Sequence, residues 1–239
     1  MKRKRISTYI SEWIVMSSLW LLLAPACVMA QETVNVPLTD EEWKETPLYQ
    51  GIYIGADIYG LASKAFGSDI TSAEVSAEVN LKNRFYPIVE IGYGSTNTTN
   101  DETDIHYKTS APYFRVGMSY NVFYKKPYLP GEFLVGLRYG FTSFSYDVAA
   151  PSMTDPTWGA PTIPFSYSGE KSNASWLELS IGLKSNVYKN FYMGLALRYR
   201  SRIGMKKNEN TEPWYIPGYG KNKSTNIGVT YTLVYKLPF

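Results

Sequence analysis

The C-terminal stretch NIGVTYTLVYKLPF alternates to its last residue. Ile227, Val229, Tyr231, Leu233, Tyr235, Leu237 and Phe239 form one set, nearly all apolar. Asn226, Gly228, Thr230, Thr232, Val234, Lys236 and Pro238 form the other, mostly polar or small. A period of two means an extended strand whose faces meet two different environments. A chain end is usually polar and frayed, so this one predicts a strand held on both sides. A sheet closed on itself provides that, because its last strand pairs with its first and no edge is left.

The same alternation recurs at 52–60, 73–81, 85–93, 114–122, 133–141, 177–187 and 191–199. With the C-terminal segment that predicts about eight strands. Each is near the roughly 9–11 residues that a tilted strand needs to cross a bilayer. The connections at 82–84, 124–132 and 188–190 are short or moderate, whereas 61–72, 94–112, 145–173 and 203–223 are long. Strict alternation of short and long is the rhythm of a closed antiparallel transmembrane β-barrel, with short periplasmic turns and longer extracellular loops. That rhythm puts both ends of the processed chain in the periplasm.

A soluble lipid-binding barrel has the same period with its apolar face turned inward, so the polar face has to decide. Here it carries many glycines, including Gly55, Gly92, Gly117, Gly136, Gly140 and Gly182. Glycine weakens a strand, and a crowded, sharply curved interior is a reason for it that a solvated surface lacks. The same face carries the acids Asp57, Glu74, Glu78, Glu90 and Glu178 and the bases Arg115, Arg138, Lys184, Arg198, Arg200 and Lys236. An eight-stranded bore is narrow enough to be filled by side chains, and buried charge must be paired. These residues are therefore expected to form one interior charge network. Tyr and Phe cluster at the ends of the apolar faces, as in Phe85 with Tyr93, Phe133 with Tyr139 and Phe191 with Tyr199. Interfacial aromatic belts have that placement.

The other end reads as a secretory signal peptide over 1–30. MKRKR is followed by an apolar run and by Val28-Met29-Ala30, a small-x-small cleavage site. Cys27 is the single cysteine. Its APAC context resembles a lipobox, and cleavage after Ala30 removes it, leaving acylation of Cys27 as the competing reading. Residues 31–50 then form a periplasmic N-terminal segment and 51–239 the barrel. Residues 31–239 hold 20 bases and 20 acids. The basic balance of the whole chain thus belongs to its first 30 residues, and no electrostatic case for nucleic acid remains.

The strand that closes the barrel resembles the C-terminal signal read by the barrel-assembly machinery of outer membranes. The residues carrying that resemblance are Gly228, Tyr231, Leu233, Tyr235, Leu237 and Phe239, and Pro238 departs from the usual pattern. A cut before Gln31 resembles the processing of exported Bacteroidota proteins. The whole processed chain is similar to small outer-membrane barrels of that phylum, including families of unknown function, some of which accompany larger outer-membrane machines. The resemblance implies an outer-membrane location in a Gram-negative bacterium, contact with outer-membrane lipid, and a role as structural or accessory subunit of a membrane complex.

Chemistry has little to work with. His106 is the only histidine, so histidine metal clusters and Cys-His catalysis are not expected, and neither is a cofactor. A lipid-modifying enzyme at the extracellular rim would need His106 to act with an acid such as Asp101 or Asp104 and with a serine such as Ser110 within hydrogen-bond reach. The reading preferred is non-enzymatic. Two loops, APSMTDPTWGAPTIPF and EPWYIPGYG, hold Trp158, Phe165, Trp214, Tyr215 and Tyr219. Proline lowers the entropy lost on ordering a loop, and large rings dominate binding hot spots. These rings are candidate partner-binding residues or a lid over the barrel mouth. Thr39 and Glu42 fit a capping box for a short helix in the tail.

Overall fold

In a computed structural model the chain is described over residues 36–60, 68–101, 103–153, 163–209 and 211–238. Residues 1–30, expected to be a signal peptide, and Trp158 and Phe239 lie outside the described residues.

The strands are β1 (Tyr49–Asp57), β2 (Ile70–Leu81), β3 (Phe85–Thr99), β4 (His106–Asn121), β5 (Gly131–Met153), β6 (Ile163–Tyr188), β7 (Phe191–Met205), β8 (Tyr215–Ile216), β9 (Gly220–Lys221) and β10 (Thr225–Lys236). All but β8 and β9 close into one antiparallel barrel in the order β1-β10-β7-β6-β5-β4-β3-β2. The last strand therefore pairs with the first. That seam is the shortest ladder of the barrel, running from Tyr53↔Lys236 to Asp57↔Thr232, whereas β5 and β6 pair from Gly131↔Ser185 to Met153↔Ile163. Closure is thus uneven around the ring. At the end holding the short turns, Lys82 (φ 53°) and Asn83 (φ 55°) supply the left-handed backbone that a tight hairpin needs.

Strand ends differ from expectation mainly at the opposite end. Residues 94–99, 106–112, 145–153 and 163–173 extend strands rather than form loops. The physical reason is a reversal of phase. On β5 the outward residues Leu137, Tyr139 and Phe141 are exposed and apolar, and the next outward ones, Ser143 and Ser145, are polar. Inward, Arg138, Gly140 and Thr142 give way to Phe144, Tyr146 and Val148. The same switch occurs on β4, where Val116 and Phe114 are followed outward by Pro112 and then by Ser110 and Lys108, and inward Tyr113, Ala111 and Tyr107 are buried. It occurs again on β6, where Leu177 is followed outward by Ser175, Asn173 and Lys171 around buried Trp176 and Ala174. The half near the short turns is apolar outside and polar inside. The half near the long loops is polar outside and apolar inside, as a water-surrounded barrel must be.

From Phe133 to Phe141 the apolar wall runs about 26 Å along the strand, or about 20 Å in height at a tilt near 40°. Helix α1 (Asp40–Glu45) is the described helix of the tail. Thr39 and Glu42 make the capping box reciprocally, Thr39 N donating to Glu42 Oε2 (2.8 Å) and Glu42 N to Thr39 Oγ1 (3.3 Å). Among the described residues no helix is long and apolar enough to cross a membrane, which says nothing about crossing by strands.

Candidate functional site: a charged bore, a lid and a strapped base

Glu74 on β2, Glu90 on β3 and Glu178 on β6 converge in the bore on Arg115 of β4, Arg138 of β5 and Arg198 and Arg200 of β7. Their alternating positions put them on the inner face of a ring too narrow to hold bulk water. Arg115 pairs with Glu74, Glu90 (3.1 Å) and Glu178 (3.6 Å). Arg198 pairs with Glu74 (3.1 Å), Glu90 (3.1 Å) and Glu178 (3.4 Å). Arg138 reaches Glu90 (3.2 Å), and Arg200 reaches Glu178 (2.9 Å). Glu178 is 0% exposed. No carboxylate here faces fewer than two guanidiniums, an arrangement in which mutual attraction can offset the cost of dehydration.

A second cluster lies toward the short turns. Lys184 pairs with Glu78 and with Glu132 (2.9 Å), and its ammonium sits 4.2 Å from the Tyr53 ring centre and 4.3 Å from that of Tyr86. Glu132 escaped the sequence reading because it falls at the edge of the turn assigned to 124–132. Between the clusters is a cavity of about 70 Å3 lined by Asp57, Ser76, Ser119 and Ser180 among others. Asp57 accepts a hydrogen bond from Tyr59 N (3.0 Å) there and is not ion-paired with the seven converging charges. Lys236 stands apart at the short-turn mouth, 5.6 Å from the Tyr53 ring centre. The expected single network is therefore two clusters with Asp57 and Lys236 beside them.

The segment joining β7 to β10 folds into the other mouth. Pro213, Tyr215, Ile216, Pro217, Gly218 and Tyr219 are buried, with Tyr219 0% exposed, whereas Trp214 is 39% exposed. The short ladder of β8 and β9 makes the descending tip a hairpin. Arg115 Nη2 donates to Gly218 O (2.9 Å), Arg200 Nη1 donates to Tyr219 O (3.1 Å), and Tyr107 Oη donates to Tyr215 O (2.8 Å). Tyr113 is the seat of this lid. Its hydroxyl donates to Glu74 Oε2 (2.8 Å), and a side chain at Gly92 or Gly218 would collide with its ring, at 2.2 and 2.4 Å. Burial pushes the Tyr215 hydroxyl up to about 12.

Of the sequence candidates in the loops, Tyr215 and Tyr219 are thus the inward face of a lid. Trp214 is the large ring left outward, 6.1 Å from Tyr107. Phe165 lies in β6 opposite Ala150. The inward aromatics Tyr107, Tyr113, Phe144, Tyr146 and Trp176, which receive the lid, were not singled out from sequence. Their signal was present as the reversed phase of alternation. In the closing strand, Leu233 and Tyr235 face outward, Tyr231 Oη reaches Met193 Sδ (3.2 Å), Gly228 lies against Arg200, and Leu237 N donates to Ile52 O (2.9 Å).

His106 opens β4, and its Nδ1 lies 3.0 Å from Thr99 Oγ1. Ser110 is four residues along the same face of that strand, about 13 Å away, so the two make no nucleophile and base pair. Among the described residues no His, Cys, Asp and Glu group is arranged to hold a metal ion.

At the short-turn end the tail is strapped down. Leu38 N donates to Lys125 O (2.8 Å), Trp43 Nε1 donates to Lys82 O (3.2 Å), and Asp40 pairs with Lys125. Arg84 lies over the rings of Trp43 (5.1 Å) and Tyr124 (4.7 Å). The hydrogen bond from Lys125 holds the Asp40 carboxyl below its ordinary value.

An apolar-walled eight-stranded barrel with a charged bore is the architecture of a bilayer-spanning β-barrel. The chain belongs to the family described as a domain of unknown function, DUF6048, whose model matches residues 10–239. Among curated proteins none matches the sequence. Solved structures similar to it include Neisserial surface protein A, at 13% identity and a TM-score of 0.40 over 79% of this chain and 99% of that one. Ail, the attachment invasion locus protein of Yersinia pestis, is similar at 11% identity and a TM-score of 0.39 over 80% of this chain and 98% of its own. A major outer membrane protein from Thermus thermophilus is similar at 12% identity and a TM-score of 0.41, over 78% of this chain and 98% of that one.

Proposed function

We propose that this is a non-enzymatic integral barrel of the outer membrane of a Gram-negative bacterium of the Bacteroidota type, serving as a structural or accessory subunit of a membrane complex. In this reading residues 1–30 are a cleaved signal peptide and 31–50 a periplasmic segment. The barrel-assembly machinery inserts 51–239 through its last strand, and both ends stay periplasmic. The observation carrying the reading is the outward apolar belt around a bore filled by salt bridges and a lid. A wall of exposed Val75, Val89, Ile91, Val116, Leu137, Leu179 and Ile181 needs lipid around it. A bore occupied by salt bridges, with a cavity of only about 70 Å3 between them, and closed by a lid leaves the rim and the base as the places where specificity can reside.

The rim candidate is Trp214, outward on a loop whose neighbouring residues are pinned inside. A hot-spot ring typically contributes about 2 kcal/mol or more to binding. Affinity purification from outer membranes in mild detergent tests the role. Wild type should bring down a membrane partner, and Trp214→Ala should lose it while keeping heat-modifiable migration. Recovery of no partner by wild type, or full recovery by the variant together with a variant lacking residues 36–45, would refute the subunit reading.

A further inference from the structure

We propose that the outer wall carries a binding groove for one phosphate-bearing lipid at the boundary where the phase of alternation reverses. The inference rests on the membrane reading above and goes beyond it to a ligand class.

Two irregularities open the wall at this level. Between β4 and β5 the ladder is interrupted from Tyr113↔Thr142 to Thr109↔Tyr146, with its register unchanged, across Pro112, which has no N–H to give. Between β6 and β7 the register shifts at Ser175/Trp176, where Ser175 faces Gly204 and Trp176 faces Arg202. The wall between them forms a depression of about 560 Å3, whose lining includes Phe114, Phe141, Ser143, Asn173, Ser175 and Lys206. That volume is in the range of small-molecule sites.

The lining is graded along the barrel axis. On the belt side is a pair of stacked rings, Phe114 and Phe141, with centres 5.4 Å apart. On the loop side are the hydroxyls and amide of Ser143, Ser175 and Asn173, all outward. Beyond them are two exposed cations. Lys206 N donates to Asn173 O (3.0 Å), which fixes it beside the groove, and Lys171 is two residues past Asn173 on the same face. Among the described residues neither ammonium has an ion-pair partner. The neighbouring outward cation, Lys108, differs because it lies opposite Asp147. Rings, then neutral polar groups, then unpaired cations is the order in which a lipid presents its acyl chains, its backbone esters and its phosphate. A free anion would use the cations and gain nothing from the ring pair.

Native mass spectrometry of the full chain tests this, with phosphatidylglycerol and phosphatidylcholine as the probes. Wild type should retain phosphatidylglycerol in preference to phosphatidylcholine. Each of Lys171→Gln and Lys206→Gln should cut that preference by about fivefold. Lys126→Gln with Lys189→Gln, at the short-turn end, should leave it unchanged. Phe114→Ala with Phe141→Ala should lower retention of both lipids. Equal retention of the two lipids by wild type, no effect of the Lys171 and Lys206 substitutions, or complete displacement by millimolar inorganic phosphate would overturn the inference. Folding into phosphatidylcholine vesicles, read by heat-modifiable migration, separates the two layers. A chain that does not enter them refutes the membrane reading and this inference together. One that enters them yet shows no lipid preference refutes the groove alone.

Discussion

Two arginines on one face of one strand should have opposite consequences. Leu137 and Ser145 both point outward on β5, and both are exposed, Leu137 by 58%. They are eight residues apart, about 26 Å along the strand. Leu137 is midway between Phe133 and Phe141, hence at the centre of the apolar belt. Leu137→Arg should cost about 2–4 kcal/mol, the range for a cation at the midplane on the lipid face of a barrel. That is a loss of about thirtyfold to several hundredfold in the folding equilibrium. Ser145 lies past the reversal, where Phe144 and Tyr146 already point inward and the outward face meets water. Ser145→Arg should stay within about 0.5 kcal/mol of wild type. The assay is urea titration of folding into phosphatidylcholine vesicles, with heat-modifiable migration reporting the folded fraction. Equal costs for the two variants, or a costless Leu137→Arg, would refute the placement of the belt.

Glu178→Ala should be among the most damaging interior changes, since it leaves Arg115, Arg198 and Arg200 facing a buried gap. Breaking a buried pair from one side costs about 3–5 kcal/mol, and a loss under about 1 kcal/mol in the same titration would contradict the network. The strap at the base should loosen in acid, where one of its contacts, the exposed Asp40–Lys125 pair, is lost. The folded carboxyl of Asp40 is lowered by Lys125, so its contribution is complete above the ordinary carboxylate value and fades as pH falls through the lowered one. The difference in fluorescence between wild type and Trp43→Phe should report a transition below about pH 4. If Asp40→Asn leaves that transition untouched, another group controls the strap.

Much of the barrel was legible in the sequence because one physical rule repeats along it. Within the belt, alternation of Leu137 with Arg138 or Leu179 with Ser180 states both the strand and its two environments. The tight turn at Lys82-Asn83 and the capping box at Thr39 and Glu42 were legible for the same reason, since local chemistry decides them. What escaped was decided by context. The outward apolar series stops where Ser143 and Ser110 break it, although the pleat continues with its phase reversed, so periodicity of the apolar face alone ends these strands too early. Glu132 reads as a turn residue until Lys184 on the neighbouring strand is known. The rings of EPWYIPGYG are equally compatible with an interface and with a lid. Only the inward receptors Tyr107, Tyr113 and Trp176, distant in sequence, separate Tyr215 and Tyr219 from Trp214.

A barrel that crosses a bilayer at one level and stands in water at another must change its surroundings along a single strand. A nitroxide scan tests it most directly, made on a Cys27→Ser background, where no native cysteine competes for the label. Labels placed singly at the outward positions 133, 135, 137, 139, 141, 143 and 145 of β5 would be read in lipid vesicles by collision with oxygen and with a water-soluble nickel chelate. Oxygen should dominate through Phe141 and the chelate from Ser143 onward. Uniform access of the chelate from 133 to 145 would contradict it, because the apolar wall would then not be in lipid.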